Sequence, residues 1–430
     1  MLNLKKTIRY FKKNGLYEVY HTAREQLAKK SQETYTYQGI SEETAKKQRS
    51  ESFQKPCKIS VIVPAYETKE EYLWEMITSV INQTYSNWEL IIADASSSNA
   101  VFDVMGRFQD DRIHYVRLNE NLGISENTNQ ALSKATGDYI GLLDHDDTLT
   151  MDALYEVSCI IDKDSPQMIY SDEDKMDGSG TMFFEPHFKL DFNLDLLLSN
   201  NYICHFLVIS SKVIKELGFR KQYDGAQDYD LVLRAVSKIP YNQISHLPKV
   251  LYHWRCHEDS TAANPASKSY AYEAGLRAVQ DYLLCHKIKA SVSHCKHLGF
   301  YQAFYEESIF CQRKDVGAIG GKVVKKGKII GGAMTQEGKV IYAGLDKHFS
   351  GYMNRAILLQ DVNALDISCI ILRKELQPIY IEVKKVIDKE YETFSKEKKK
   401  LAMSLEISKR VKELGYVLVY DPSMEVIANE

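Results

Sequence analysis

A chain of 430 residues with 55 Lys and Arg against 58 Asp and Glu carries a net charge of −3, too little field to draw in nucleic acid. Its 44% hydrophobic and 26% charged content is ordinary for a globular protein long enough to hold two or three domains. None of its eight cysteines forms a Cys-x-x-Cys pair, so neither a zinc ribbon nor a redox motif is signalled, and no run is apolar and long enough to cross a bilayer.

Residues 1–30 are locally basic, with Lys5, Lys6, Arg9, Lys12, Lys13, Arg24, Lys29 and Lys30 against Glu18 and Glu25. Leu4, Ile8, Phe11, Val19 and Leu27 supply apolar positions, so one or two amphipathic helices broken near Asn14-Gly15 are predicted. Such a segment either contacts an anionic membrane surface or packs on its own domain with a solvated basic face; both readings stay open. Residues 31–55 are polar, lack an apolar period and read as a linker.

From Lys58 the pattern changes. Ile59 to Val63 is a buried-strand run ended by Pro64-Ala65-Tyr66, and Leu73, Met76, Ile77, Val80 and Ile81 then recur at helical spacing. Trp88 to Ala93 is a second strand, ending at Asp94 and a Ser-rich loop. Val101 to Phe108 reads as a helix, Ile113 to Arg117 as a strand, and Asn121-Leu122-Gly123 precedes a helix from Ile124 to Lys134. Tyr139 to Leu143 is an apolar run that breaks into Asp144-His145-Asp146-Asp147. This strand–helix rhythm predicts a doubly wound, mostly parallel α/β sheet, with Asp94, Asp144 and Asp146 on the edge where a nucleotide would lie. A single Asp at a strand end is commonly a cap. Asp-x-Asp-Asp there suits a hard divalent cation and, through it, phosphate oxygens. No Gly-x-Gly-x-x-Gly or P-loop motif is present.

A helix is predicted from Thr150 to Asp162, and Met168 to Ser171 leads into Asp172-Glu173-Asp174, which reads as a solvated acidic loop. Leu194 to Leu198, Tyr202 to Ile209 and Ser211 to Gly218 alternate helix, strand and helix. Gln227-Asp228-Tyr229-Asp230 opens a helix through Ala235, where capping alone would account for the carboxylates. Val250 to Arg255 is a strand ending in His253-Trp254-Arg255, followed by a polar loop at Ser260-Thr261 and a long amphipathic helix from Ser267 to Lys287.

Five features in this order resemble the family 2 glycosyltransferases: Val61-Ile62-Val63-Pro64-Ala65-Tyr66; Asp94; Asn121-x-Gly123 with Asn129; Leu143-Asp144-His145-Asp146-Asp147; and Gln227-Asp228 followed by His253-Trp254-Arg255. The resemblance covers about Lys58 to Lys287 and implies the GT-A fold. It implies that Pro64, Tyr66, Glu67, Asp94, Gly123, Asn129, Asp144 and Asp146 bind a nucleotide sugar, that Asp146 and His253 hold Mg²⁺ or Mn²⁺, and that Asp228 is the catalytic base of an inverting displacement. Asp230 would support the site or cap its helix. Two departures stand out: Gln227 replaces the usual Glu of a Glu-Asp pair, and Thr128 stands where many members carry Arg. Asp172-Glu173-Asp174 resembles a subgroup acting on bacterial surface polysaccharides, which suggests a rhamnosyl unit among hexosyl and deoxyhexosyl donors.

Residues 297–375 read as a partial second copy of such a domain without its own Asp-x-Asp, 382–414 as a charged helix, and Tyr416 to Tyr420 as a last strand. The expected organisation is therefore a basic segment with linker over 1–55, a GT-A domain over 56–295 and a small α/β module over 296–430. The partners expected are a dTDP- or UDP-linked sugar, a glycan or lipid-linked oligosaccharide acceptor at the inner face of the cell membrane, and a second copy of the chain. A sugar nucleotidyltransferase and a catalytically inactive glycan-binding scaffold are the rival readings. The first lacks its Gly-rich basic motif, and the second leaves an intact Asp144, Asp146 and Asp228 set without a purpose.

Overall fold

A computed structural model describes residues 4–29, 35–257 and 269–428, with the side chains of 4–13 and 28–29 outside the description. The chain divides into two compact units: Thr34–Phe192 with Asn201–Tyr282, and Met1–Glu33 with Asn193–Asn200 and Leu283–Glu430.

The larger unit is built on a nine-stranded sheet of Ile59–Ala65 (β1), Trp88–Asp94 (β2), Ile113–Arg117 (β3), Tyr139–Leu142 (β4), Thr148–Leu149 (β5), Met168–Asp177 (β6), Phe183–His187 (β7), Leu207–Ser210 (β8) and Ile244–Cys256 (β9). Its order is β3-β2-β1-β4-β8-β6-β9-β5, with β7 against β6. The first four strands pair in parallel as expected. Beyond β4 the sheet departs from the expectation: β8 runs antiparallel to both β4 and β6, and β5 and β7 are antiparallel to their neighbours. The sheet is thus mixed rather than mostly parallel. Leu207-Val208-Ile209 is wholly buried, and a run covered on both faces carries no period from which its direction can be read.

The supposed linker is also corrected. Glu42–Ser50 is a helix, with the Ser41 hydroxyl accepting the Thr44 N–H at its start. Its sequence is almost entirely polar, so the signal lies in the cap and not in an apolar period. Ala45 and Gln48 are buried, and Thr84 donates to the Gln48 side chain. Residues 35–50 therefore pack on the larger unit.

In the smaller unit Val316–Lys325 lies parallel to Val417–Ile427 within a five-stranded sheet. The run from Ala364 to Arg373 is two short strands separated by a turn at Ile367–Cys369, where Asp366 accepts the Ser368 N–H. The charged stretch 382–414 is two helices, Gln377–Glu390 and Lys396–Glu413, the second capped by Ser395. Val383, Ile387, Ile407 and Val411 pack with Leu365, Leu418 and Tyr420 as its core.

The N-terminal helix Leu4–Lys29 breaks at Gly15, where φ is 80°. Its described half packs on its own unit. Glu25 is 5% exposed and accepts the N–H groups of Ser350 and Gly351 at 2.9 Å each. Glu18 pairs with Lys296, and Arg24 with Asp346. Leu16, Tyr20 and Leu27 remain exposed. Lys5 through Lys13 in side-chain detail, Lys29, Lys30 and the Ser260-Thr261 loop lie outside the described residues. Among the described residues no helix is long and apolar enough to cross a membrane.

Candidate active site

The strand register makes the site. Ala65 faces Asp94 across β1 and β2, and Ile62 faces Leu142 across β1 and β4, so the three strands end at one edge with Asp144 two residues beyond. A cavity of about 530 Å³ opens there, with Pro64, Gly123, Asp144, Cys204, His205 and Asp228 in its wall. Four of the expected site residues, Pro64, Gly123, Asp144 and Asp228, thus share one space. Asp228 stands in the first turn of the helix Gln227–Val236, where exposed N–H dipoles favour a carboxylate. Asp230, one face away, is buried and held by Arg220 and Arg234, a supporting role. Gly123 has φ +100°, and a Cβ there would lie 2.3 Å from Asp224 Oδ2. The φ disfavours any other residue, and a side chain there would require the Asp224 carboxylate to move.

The remaining expected nucleotide contacts sit outside the cavity wall. Tyr66 is half exposed just past β1. Glu67 accepts hydrogen bonds from Ser97 and Ser98, which hold its carboxyl down at about 2. Asp94 is fully buried and accepts from Tyr115, Arg117 and the Ser96 N–H. Asn129 spends both ends of its amide on the backbone of Phe219.

The three carboxylates after β4 have three environments. The Asp144 side chain is 49% exposed. Asp146 is mostly covered and lies 2.8 Å from His257 Nε2. Burial pushes the Asp146 carboxyl up, but the His257 hydrogen bond and the nearby His145 and His257 charges outweigh it and leave it lowered. Asp147 is buried and structural, accepting the Tyr252 hydroxyl at 2.5 Å and the Arg255 N–H at 2.7 Å. Arg255, itself fully buried, also donates to the Asp146 carbonyl and to Glu75, so it braces the turn from behind.

His253 does not reach Asp146. Successive strand residues point to opposite faces: Tyr252 and Trp254 flank His205, whereas His253 lies between the rings of Tyr37 and Phe183 with its Nδ1 2.5 Å from Asp174. The histidine at Asp146 is His257, four residues on.

Asp172-Glu173-Asp174 is not a solvated loop. It lies in β6, and all three carboxylates are buried and partnered. Asp172 meets His246, Asp174 meets His253 and the Tyr35 hydroxyl, and Glu173 meets His187, Lys189 and His205. Lys189 also donates to the carbonyls of Cys204 and His205, fixing that segment. Burial would lower the His205 pKa, but Glu173, Asp144 and Asp147 raise it to about 9, so a cationic imidazolium forms part of the cavity wall. Its Nε2 is 4.0 Å from Asp144, and its ring stacks on Tyr252 at 4.5 Å.

Ligand atoms of Asp144, Asp147 and His205 lie within 4.8 Å of one another. As a cation site this group fits poorly, because both Asp147 oxygens are already taken and a protonated imidazole offers no lone pair. Asp146 with His257 offers a carboxylate oxygen and an imidazole nitrogen 2.8 Å apart, a pair that suits Mn²⁺ or Mg²⁺ once the imidazole is neutral and its hydrogen bond to Asp146 gives way to the ion.

Residues 60–218 match the family described as Glycosyl transferase family 2. An uncharacterized protein of Sinorhizobium fredii, y4gI, is 44% identical over 230 residues, which are 52% of this chain and 25% of that protein. The O-antigen biosynthesis protein RfbC of Myxococcus xanthus is 32% identical over 230 residues, 52% of this chain and 18% of RfbC. The chain thus spans a quarter or less of these two relatives. The β-1,3-glucosyltransferase WfaP of Escherichia coli is 26% identical over 254 residues, 55% of this chain and 95% of WfaP. A solved structure of S. aureus TarS with UDP-GlcNAc superposes with a TM-score of 0.44 at 20% identity, over 53% of this chain and 66% of that one.

Proposed function

We propose, for a chain that belongs to glycosyl transferase family 2 through residues 60–218, that it transfers a hexosyl or deoxyhexosyl unit from a nucleotide sugar to a hydroxyl of a bacterial surface glycan. The observation that carries this reading is the single cavity into which Asp144 and Asp228 project from separate elements. Asp228 accepts the proton of the acceptor hydroxyl as its oxygen attacks the anomeric carbon, a single displacement that inverts configuration. Asp146 and His257 would hold Mg²⁺ or Mn²⁺, and such an ion would supply positive charge for the diphosphate leaving group. The His205 imidazolium adds a fixed positive charge to the same wall.

The names of RfbC and WfaP support a surface-glycan acceptor, and WfaP, named for a diphosphoundecaprenol substrate, supports a lipid-linked one. A peripheral contact with the membrane is proposed through the N-terminal helix, whose Leu16, Tyr20 and Leu27 are exposed. Liposome flotation of the chain with and without residues 1–30 checks it; equal behaviour of the two removes it. Residues 56–295 are read as the donor domain and 296–430 as an accessory module. The function is tested with a panel of UDP-glucose, UDP-GlcNAc, dTDP-rhamnose and GDP-mannose in the presence of Mn²⁺. Release of nucleotide from one of them, abolished by EDTA, is expected. Inertness towards every nucleotide sugar, with no binding, would favour the scaffold reading.

A further inference from the structure

We infer that Asn201 and Cys204 are positioning residues for Asp228, pinning one carboxylate oxygen so that the other is left to take the proton; this rests on reading Asp228 as the base. The Asn201 amide donates to Asp228 Oδ2 at 2.8 Å, and the Cys204 thiol donates to the same oxygen at 3.0 Å. No described residue donates to Oδ1 of Asp228. Cys204 and Asp228 both line the cavity. Two donors on one oxygen stop the carboxylate from turning and stabilise its charge.

The thiol is itself held from behind. Its sulfur lies 3.2 Å from His205 Nε2, and His205 Nδ1 lies 3.2 Å from Glu173. A doubly protonated His205 donates to the sulfur, which leaves the thiol's own proton for Asp228. Buried Glu173 thus ion-pairs with His205, His205 faces the sulfur, and the thiol donates to the base. Burial and the Asp228 and Glu173 carboxylates push the Cys204 thiol well above its usual range. It is accordingly a donor and not a nucleophile, although it faces the cavity. The other titratable groups around Asp228 in this cavity are Asp144 beyond β4, Asp224 ahead of its own helix, and Tyr270 on the helix Ser269–Cys285.

Two measurements on the full chain test the inference. In the first, Cys204 alkylation by iodoacetamide is followed by peptide mass spectrometry, with no dependence on turnover. Asp228→Asn should raise the rate at pH 8 by about tenfold, because the charge that holds the thiol proton is gone. Equal rates in the two proteins would overturn the contact. In the second, pH–rate profiles are recorded with the panel nucleotide sugar that the wild type turns over. Cys204→Ala and Asn201→Ala should each move the acid limb up by about one pH unit, as expected for one hydrogen bond lost from a charged group, with kcat about tenfold lower at pH 7. KM for the nucleotide sugar should stay within about twofold, and Cys204→Ser, which keeps a donor, should restore most of the loss. An unmoved acid limb in both alanine variants would refute positioning while leaving Asp228 as base. Retained turnover in Asp228→Asn would refute the base itself, and the alkylation result would still report the contact.

Discussion

Replacing His205 by Gln should remove a share of stability that depends on pH. His205 stacks on Tyr252 and sits 3.2 Å from Glu173 and 4.0 Å from Asp144. Burial alone would lower its pKa, but the surrounding carboxylates raise it from 6.5 to about 9. The folded value lies above the unfolded one. The stabilisation is therefore fully present below pH 6.5 and is lost as pH rises through about 9. A rise of that size corresponds to about 3 kcal/mol, and the side chain is only 18% exposed, so solvent screening removes little of it. The assay is urea unfolding followed by tryptophan fluorescence. All three tryptophans, Trp74, Trp88 and Trp254, lie in the larger unit, so the signal reports on the unit that holds His205. The stability gap between wild type and His205→Gln should shrink by about 3 kcal/mol between pH 6 and pH 9.5. A gap that stays constant across that range would refute the argument that His205 carries its charge into the folded state.

The cation site separates two histidines. Asp146→Ala and His257→Ala should weaken Mn²⁺ binding by about 10- to 100-fold in calorimetry. His253→Ala should leave Mn²⁺ affinity unchanged and destabilise the larger unit by about 1–3 kcal/mol, since buried Asp174 loses one of its two side-chain partners and keeps only the Tyr35 hydroxyl. The reverse pattern would restore His253 as the ligand. Gly123→Ala should cost about 2 kcal/mol or more in a thermal melt, because it meets both a left-handed φ and the Asp224 carboxylate. An unchanged melt would show that the loop relaxes freely. Glu25→Ala should loosen the N-terminal helix from its unit, seen as faster hydrogen exchange at Ser350 and Gly351, and unaltered exchange there would mean the two N–H contacts are not what holds it.

What the sequence made legible was whatever local pattern encodes. Ile59 to Val63 is an apolar run ended by Pro64, Trp88 to Ala93 and Tyr139 to Leu143 are apolar runs cut off by carboxylates, and they became β1, β2 and β4, which end on one edge of the sheet. The placement of Asp144 and Asp228 across one cavity followed from the ordered motifs. What stayed hidden depends on contacts distant in sequence. The burial of Asp172-Glu173-Asp174 requires partners at positions 187, 205, 246 and 253, which no local window brings together. His253 and His257 differ in role because one sits on the far face of β9 and the other just past the strand's end. Strand alternation does not separate them, because positions 253 and 257 share one parity; the difference is that the strand ends at Cys256, before His257. Cys204-His205 left a trace, two polar or reactive residues inside the run from Tyr202 to Ile209, and that interruption was the available signal.

The most direct measurement is the comparison of wild type with Asp228→Asn in turnover and in binding of the same nucleotide sugar. Turnover should fall by about 10³-fold, the usual contribution of a general base, while the calorimetric Kd stays within about twofold. Turnover retained at the wild-type rate, or binding lost along with it, would contradict the assignment of Asp228 as the group that takes the acceptor's proton.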